Sequence, residues 1–309
     1  MLRKTCCIIV VLCLMLFFGC AGNKTQAVLQ IPLLQYDSEQ GTLYAAQWNL
    51  GEQTIVSEKT VLLQQQDIDA VMRIKWDGDG YIILPQASYN KPFSKVNADF
   101  FHQIIEMKHT CEVLHGSWRC WKEDKDTVIL ADDSHAYQLD IAVDYELAGL
   151  TVTENGPTVL LWNSLNGEVA LYQYDTERQK GNLERISGLP LMNSQLYPEQ
   201  AAIENGQDFY FTDGYVIYFI NTRTGQAELV FSKNEFADSF AETNAELAEA
   251  LRSCRLMMGI YENELLVLLS HPEGLLDKQW LYYQGTKRQD LLELPVNTVI
   301  YLLPTICKQ

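Results

Sequence analysis

Short runs of Val, Ile, Leu, Tyr and Trp, separated by turns of Gly, Asn and Asp, recur along the chain from residue 42 onward. Runs of this composition and length predict β-strands. Four such runs make a module, and the modules follow one another at residues 42–87, 111–143, 147–191, 200–232 and 255–295. Repetition of a four-stranded unit favours an all-β fold, a β-propeller with five clear modules. A tandem β-sandwich is the alternative.

Two further strand-like runs flank the modules. Residues 27–37 precede the first module, with Pro32 indicating an edge strand, and residues 296–307 follow the fifth module. If these two runs pair, they close the ring as a composite sixth blade and remove exposed sheet edges. The expected number of blades is therefore five or six.

Two segments between modules have helical periodicity. Residues 97–110 begin at Asn97, a favourable N-cap, and residues 234–253 place apolar side chains on one stripe with acidic side chains mostly off it. Both are predicted to be inserted α-helices on a rim of the propeller. They would present a surface to a partner or simply cover the core.

The fourth module contains the best local signature, the run YVIYFINTRTGQAELVF at residues 215–231. One strand ends at Asn221, a Thr-Arg-Thr-Gly turn follows, and the next strand begins. This run resembles the strand 3 to strand 4 hairpin of bacterial propellers of the TolB-like and quinoprotein-like kind. The resemblance implies the fold and transfers no active site, because one fold serves many functions.

The N-terminus has the form of a signal peptide. Arg3 and Lys4 are followed by thirteen uncharged residues from Cys6 to Phe18. A helix that crosses a bilayer needs about 20 apolar residues, so this run is too short. Residues 1–19 are therefore predicted to target the chain out of the cytoplasm.

The end of that segment, Leu16-Phe17-Phe18-Gly19-Cys20, resembles the lipobox of bacterial lipoproteins. The resemblance implies that the Cys20 thiol receives a diacylglyceryl group, carrying palmitate-type chains, and becomes the new N-terminus. Two acyl chains hold a protein stably on a membrane. Phe17 and Phe18 depart from the usual leucine and small residue, and an ordinary secretory signal is the alternative. Residues 20–27 would then be the lipidated cysteine and its tether, and residues 28–309 the propeller domain.

Charge limits the choice of partners. The chain has 23 Lys and Arg against 40 Asp and Glu, and removal of residues 1–19 takes Arg3 and Lys4 away, which leaves a net charge of −19. A chain with no basic stripe cannot neutralise phosphates, so nucleic acid is excluded as a partner. The same charge is repelled by an anionic leaflet. Attachment to the membrane is therefore expected through the N-terminal lipid.

Four cysteines remain after Cys20: Cys111, Cys120, Cys254 and Cys307. Outside the cytoplasm they allow two disulfides. A two-residue hairpin turn at His115-Gly116 in CEVLHGSWRC would set Cys111 opposite Cys120, within reach of a disulfide. Two reduced, buried cysteines are the alternative, and pairing of Cys254 with Cys307 stays open.

The sequence offers no recognisable catalytic, metal or cofactor motif. No GxSxG elbow, HExxH, CxxC or Walker loop occurs after the signal segment. On the predicted first helix, His102, Glu106 and His109 have the spacing of metal ligands, but a polar outer face explains them equally. No catalytic residue, metal ligand or cofactor is predicted.

The tryptophans suggest a binding surface. Trp48 and Trp76 each precede a polar turn containing glycine, and the 1–2 and 3–4 turns of a blade share a rim, whereas Trp162 would face the other rim. Two tryptophans on one rim could stack on a sugar or anchor a protein, and packing within the rim is the alternative.

The sequence thus predicts a lipid-anchored extracytoplasmic propeller that binds or scaffolds an envelope protein or small ligand. A glycan-active envelope enzyme with carboxylates in the channel is the alternative.

Overall fold

The structure is a computed structural model. It describes residues 30–37, 39–40, 42–49, 54–64, 72–76, 80–85, 93–97, 104–107, 113–124, 127–163, 165–191, 201–261, 264–270, 278–283, 288–293 and 298–302. Within these residues the chain forms strands and two helices. No helix among them reaches the length and apolar character needed to cross a bilayer.

The strands fall into six four-stranded antiparallel sheets among the described residues. Sheet 1 contains β1 (Gln30–Asp37), β2 (Thr42–Asn49), β3 (Thr54–Gln64) and β24 (Thr298–Leu302). Sheet 2 contains β4 (Met72–Trp76), β5 (Gly80–Pro85), β6 (Phe93–Asn97) and β7 (Ile104–Met107). Sheet 3 contains β8 (Val113–His115), β9 (Trp118–Lys122), β10 (Val128–Ala131) and β11 (Ala136–Leu139).

The other three sheets follow the same plan. Sheet 4 contains β12 (Tyr145–Thr153), β13 (Gly156–Asn163), β14 (Val169–Asp175) and β15 (Lys180–Arg185). Sheet 5 contains β16 (Ala202–Asn205), β17 (Asp208–Thr212), β18 (Val216–Asn221) and β19 (Gln226–Ser232). Sheet 6 contains β20 (Arg255–Tyr261), β21 (Glu264–Ser270), β22 (Lys278–Tyr283) and β23 (Arg288–Glu293).

Strand order shows how the ring is built. In sheets 2 to 6 the spatial order is the chain order, whereas sheet 1 has the order β24-β1-β2-β3. The first strands of sheets 3 to 6 contact one another in sequence, and β20 contacts β24. First strands therefore lie side by side around the centre. This arrangement is a β-propeller, and the tandem β-sandwich alternative is wrong.

The predicted closure of the ring is confirmed. The C-terminal strand β24 pairs antiparallel with β1, from Leu33 opposite Leu302 to Asp37 opposite Thr298. The closing sheet also contains β2 and β3, which the sequence assigned to a separate first module. The last strand thus occupies the first position of sheet 1, and backbone hydrogen bonds join the N-terminal strand to the C-terminal strand.

The first predicted module and the first predicted helix are both wrong. Strands β2 and β3 belong to sheet 1 and strands β4 and β5 to sheet 2, so the module at 42–87 spans two sheets. The predicted helix at 97–110 contains β7, whose Ile105 pairs with Lys95 of β6. Because two strands of sheet 2 were missed, its other two strands were joined to the preceding sheet. His102 and His109 lie outside the described residues.

The second helical segment is confirmed as two helices, α1 (Lys233–Ala241) and α2 (Ala245–Ser253). Ser232 caps α1 by accepting from the N–H of Glu235, and Asn244 caps α2 by accepting from the N–H of Leu247. The apolar stripe of the pair, with Leu251 fully buried, packs into the core between sheets 5 and 6.

The core lies between neighbouring sheets. Separate apolar clusters fill the spaces between sheets 3 and 4, 4 and 5, and 5 and 6. Strand β13 is buried along almost all of its length because sheets cover both of its faces, whereas the fourth strand β15 is mostly exposed. Gly149 packs against Phe209 of the next sheet. A Cβ at position 149 would lie 2.8 Å from the phenyl ring, so the close packing requires glycine.

Candidate functional site

The propeller presents two rims, because neighbouring strands in every sheet are antiparallel. The short-turn rim carries the turns from first to second and from third to fourth strands; its described turns are 116–117, 132–135, 154–155, 176–179, 206–207 and 222–225. The opposite rim, called here the acidic rim, carries the remaining connections; their described residues are 39–40, 123–124, 140–144, 165–168, 186–191, 213–215 and 233–254.

The acidic rim is named for its charge. Its described connections contain the carboxylates of Glu39, Glu123, Asp124, Asp140, Asp144, Glu168, Asp213, Glu235, Asp238, Glu242, Glu246 and Glu249. The cations in the same connections are Lys233, which is buried, and Arg252, which pairs with Asp238 and Glu249. Because carboxylates dominate so strongly, this rim has a strongly negative potential. The short-turn rim carries both signs, as in the pairing of Arg223 with Glu154 at 3.6 Å.

Exposed apolar side chains are also concentrated on the acidic rim. Among the described residues, four of the large apolar side chains that stand exposed lie in its connections: Val143 (41% exposed), Leu165 (78%), Leu191 (65%) and Tyr215 (47%). The other two, Leu183 and Leu229, lie in the fourth strands β15 and β19. These four side chains are candidates for a binding surface.

Two of these apolar residues are held in place by neighbouring loops. The Tyr145 hydroxyl donates to Glu168, which links the loop carrying Val143 to the turn carrying Leu165. Arg185 also contacts Glu168 at 3.3 Å. The Asn163 side chain accepts from the N–H groups of Leu165 and Asn166 and fixes that turn.

The third apolar position, Tyr215, is fixed by the start of α1. The Lys233 N–H donates to the Tyr215 carbonyl, and the Lys233 ammonium lies 4.7 Å from the centre of the Tyr215 ring. The same ammonium donates to the Cys254 carbonyl at 2.9 Å, so it joins the beginning of α1 to the end of α2. Burial lowers the pKa of Lys233 and raises the pKa of the Cys254 thiol to about 11. Cys254 is therefore a neutral thiol at physiological pH.

The centre of the short-turn rim holds a histidine and a carboxylate. His115 ends β8 and Glu204 lies in β16, and their side chains approach to 3.3 Å. These are first strands of sheets 3 and 5, so the contact spans sheet 4 at the channel mouth. Thr151 of the intervening β12 donates to the Gly206 carbonyl. Within the described residues, no group of three or more His, Cys, Asp or Glu side chains could hold a metal ion.

A polar cavity of about 580 Å³ lies on the short-turn rim of sheet 4. It is lined by Thr153, Glu154, Asn155, Gly156, Gln173, Asp175, Thr176, Glu177, Lys180 and Asn182. Asp175 uses its carboxylate within the turn, where it accepts from the N–H groups of Glu177 and Arg178. The lining has no apolar or aromatic side chain of the kind that most small-molecule sites use.

The predicted rim tryptophans lie in different sheets. Trp48 is near the end of β2, the third strand of sheet 1, and Trp76 ends β4, the first strand of sheet 2. Both positions lead into the short-turn rim, and their side chains lie outside the described residues. Trp162 lies towards the acidic rim but is only 2% exposed and packs edge-on against Phe211, so it belongs to the core.

The register behind the predicted disulfide is wrong. Cys120 pairs with Val113, and His115 pairs with Trp118, so the hairpin turn is Gly116-Ser117 rather than His115-Gly116. Gly116 has φ of 57°, which suits glycine at the first central position of a two-residue turn. Cys120 is buried. Cys20, Cys111 and Cys307 lie outside the described residues, so Cys20 lipidation and a Cys111–Cys120 disulfide stay predictions.

Comparisons with known proteins concern the fold. No protein-family model matches this chain, and no curated protein sequence matches it. Among solved structures, TolB from Acinetobacter baumannii is similar, with 10% identity and a TM-score of 0.51 over 88% of this chain and 66% of that chain. This chain therefore spans just under two thirds of the TolB structure. At this identity the similarity supports the propeller fold alone.

Two further solved structures are similar at lower scores. A periplasmic gluconolactonase from Pseudomonas aeruginosa has 8% identity and a TM-score of 0.41, covering 86% of this chain and 82% of that chain. An auxiliary nutrient binding protein from Bacteroides thetaiotaomicron has 12% identity and a TM-score of 0.38, covering 65% of this chain and 56% of that chain.

Proposed function

We propose that this protein is a lipid-anchored, extracytoplasmic β-propeller that works as a binding module for another envelope protein. The observation that carries the proposal is the set of exposed apolar side chains on the acidic rim, headed by Leu165. Aromatic and large apolar groups on a rigid scaffold are what protein interfaces use as anchors. The Asn163 and Glu168 contacts favour this use, because they hold Leu165 in place before a partner arrives.

The glycan-active alternative has less support in the described residues. It requires two carboxylates in the channel with carboxyl groups about 5 to 10 Å apart. The carboxylate at the channel mouth, Glu204, lies against His115. In the polar cavity on the same rim, the Asp175 carboxylate accepts a hydrogen bond from the N–H of Glu177 in its own turn.

The location of the protein is tested by acylation in intact cells. Cells that produce the full-length chain are fed an alkyne-bearing palmitate, and the protein is then isolated and probed for label. We expect label in the wild type and in Cys13→Ser, and loss of both label and membrane association in Cys20→Ser. Label retained by Cys20→Ser would contradict the proposed anchor.

The class of ligand is tested by thermal unfolding of the purified full-length protein with divalent ions and envelope glycans. A ligand at 100 times its Kd adds about 2.7 kcal/mol of stability and raises the Tm of a domain this size by a few degrees. We expect no shift. A shift with any glycan would contradict the protein-binding proposal and favour the glycan-active alternative.

A further inference from the structure

The path of the chain sets the rim at which the N-terminal segment leaves the propeller. Strand β1 is antiparallel to β24, the first strand of sheet 1, so β1 begins at the short-turn rim. Its first residue, Gln30, pairs with Asn49, the end of the strand that leads into the β2–β3 turn of that rim. Residues 21–29 separate Gln30 from Cys20 and span at most about 30 Å. A lipid on Cys20 thus attaches on the side of the short-turn rim.

Electrostatics favours the same orientation. An anionic leaflet repels carboxylates that come within about one Debye length of it. Among the described residues, the connections of the acidic rim carry twelve carboxylates against Arg252 and the buried Lys233, whereas the turns of the short-turn rim present Arg178 and Arg223 beside their carboxylates. Both arguments place the acidic rim away from the membrane, where a partner can reach it.

We propose that the outward-facing acidic rim docks an amphipathic segment of another envelope protein that carries Lys and Arg beside apolar residues. This inference rests on the proposed function and adds to it the docking face, the orientation and the chemistry of the partner.

The apolar half of the surface comes from neighbouring connections. Val143 lies between sheets 3 and 4, Leu165 within sheet 4, Leu191 between sheets 4 and 5, and Tyr215 within sheet 5. Their order along the rim follows the order of the sheets around the ring. An extended or helical segment laid along this arc would contact them in succession.

The polar half of the surface selects the charge of the partner. Asp144 adjoins Val143, and Asp213 lies in the same turn as Tyr215. Lysine and arginine on the partner would meet these carboxylates, whereas an acidic segment would be repelled by them. The nearby cations are already engaged within the chain. Lys233 is buried, Arg252 contacts Asp238 and Glu249, and Arg185 pairs with Glu168.

The docking face is tested by photo-crosslinking in intact cells that produce the full-length chain. A photoreactive amino acid replaces Leu165 on the acidic rim, Leu183 in β15, or Arg178 on the short-turn rim. Leu183 is the matched control, since it is also an exposed leucine of sheet 4. We expect one discrete protein adduct from position 165, with Lys or Arg beside apolar residues in the crosslinked peptide, and none from positions 183 and 178.

Three other outcomes would overturn the inference, and they separate it from the proposed function. An adduct only from position 178 would keep the binding function and place it on the wrong rim. An adduct from position 165 whose peptide is acidic would keep the face and overturn the chemistry. No protein adduct from any of the three positions would overturn the proposed function as well.

Charge is tested by two aspartates that flank the same strand, β11. Asp144 follows it on the acidic rim and Asp133 precedes it on the short-turn rim, and both are exposed. In the chain with the photoreactive group at position 165, we expect Asp144→Lys to lower the adduct yield about tenfold and Asp133→Lys to leave it unchanged. Equal yields from the two variants would contradict a charge-selective surface, provided that both variants retain the Tm of the parent.

Discussion

The two rims are made from the ends of the same strands and differ in what their connections carry. On the short-turn rim, Asp132, Asp175 and Asn221 each begin a four-residue turn and accept from the N–H groups two and three residues on. Asn163 and Asp213 do the same on the acidic rim. Turn hydrogen bonds are therefore a structural device of both rims. Exposed apolar residues and unbalanced charge distinguish the acidic rim, and the proposed docking face rests on them.

Gly156, at a turn of the short-turn rim, gives the largest expected effect. Its φ is 113°, and a Cβ there would lie 2.4 Å from the Tyr174 carbonyl oxygen. Gly156→Ala should lower the free energy of unfolding by about 3 kcal/mol. Relief of the clash would require the backbone at residue 156 or at Tyr174 to move, and both belong to paired strands. Gly206→Ala is the control, with φ of 65° and no atom within 4 Å, and should cost about 1 kcal/mol. Chemical denaturation measures both, and equal costs would contradict this difference.

Substitution of Lys233 tests whether the helices of the acidic rim depend on one buried cation for their stability. Lys233→Ala removes the donor to the Cys254 carbonyl and the contact with Tyr215. It should lower the free energy of unfolding by about 2 kcal/mol. Lys180→Ala, an exposed lysine on the opposite rim, should change it by less than about 0.5 kcal/mol. If the two variants unfold at the same denaturant concentration, Lys233 does not hold the helices in place.

Tyr145 makes stability depend on pH through the acidic rim. Burial, and then the hydrogen bond to Glu168, raise the pKa of Tyr145 from 10.0 to about 12. The folded state thus favours the neutral phenol, and this stabilisation is complete below pH 10 and lost as the pH rises toward 12. Tyr145→Phe should cost about 1 kcal/mol near neutral pH, and its stability should fall less steeply above pH 10. Parallel pH profiles for wild type and variant would contradict the assignment.

Matched asparagines compare the two rims directly. Asn221→Ala and Asn163→Ala each remove a side chain that accepts two backbone N–H groups, so each should cost about 1 kcal/mol of stability. Only Asn163→Ala loosens the turn that carries Leu165. We therefore expect lower crosslinking from position 165 in Asn163→Ala and unchanged crosslinking in Asn221→Ala. The reverse result would show that the Asn163 contacts do not position Leu165 for the partner.

Leu165 gives the smallest expected effect on stability. Because its side chain is 78% exposed, Leu165→Ser should change the Tm by less than about one degree. Leu183→Ser, at 46% exposure in β15, serves as its control. A stability loss of more than about 1 kcal/mol in Leu165→Ser would show that Leu165 is a structural residue and remove it from the proposed surface.

Much of the fold could be predicted where strands and turns were both distinct. The modules at 111–143, 147–191, 200–232 and 255–295 correspond to sheets 3 to 6, since each has four apolar runs and turns of Gly, Asn or Asp between them. The prediction failed in sheet 2. A segment such as Ile104–Met107 has too few residues for periodicity to separate a strand from a helix, and pairing with β6 decides it.

The candidate site was less predictable than the fold. Turn counting placed Trp48 and Trp76 in one blade, whereas they belong to sheets 1 and 2, and their role in binding stays a prediction. Leu165 and Val143 carried no signal in the sequence, because a single leucine or valine in a loop is common and becomes informative only when its exposure is known. The predicted turn of the cysteine hairpin was wrong by one residue. Such a shift changes every pair of residues that lie opposite each other in the two strands.

The sequence by itself determined the local features of this protein: the strand-rich modules, the short turns and the acidic charge. These depend on backbone preference and on alternation between neighbours in the chain. Only the tertiary structure decided where one sheet ends and the next begins, which loops share a rim, and which apolar side chains stay exposed. Those properties depend on contacts such as Leu33 with Leu302, or His115 with Glu204, between residues far apart in the chain.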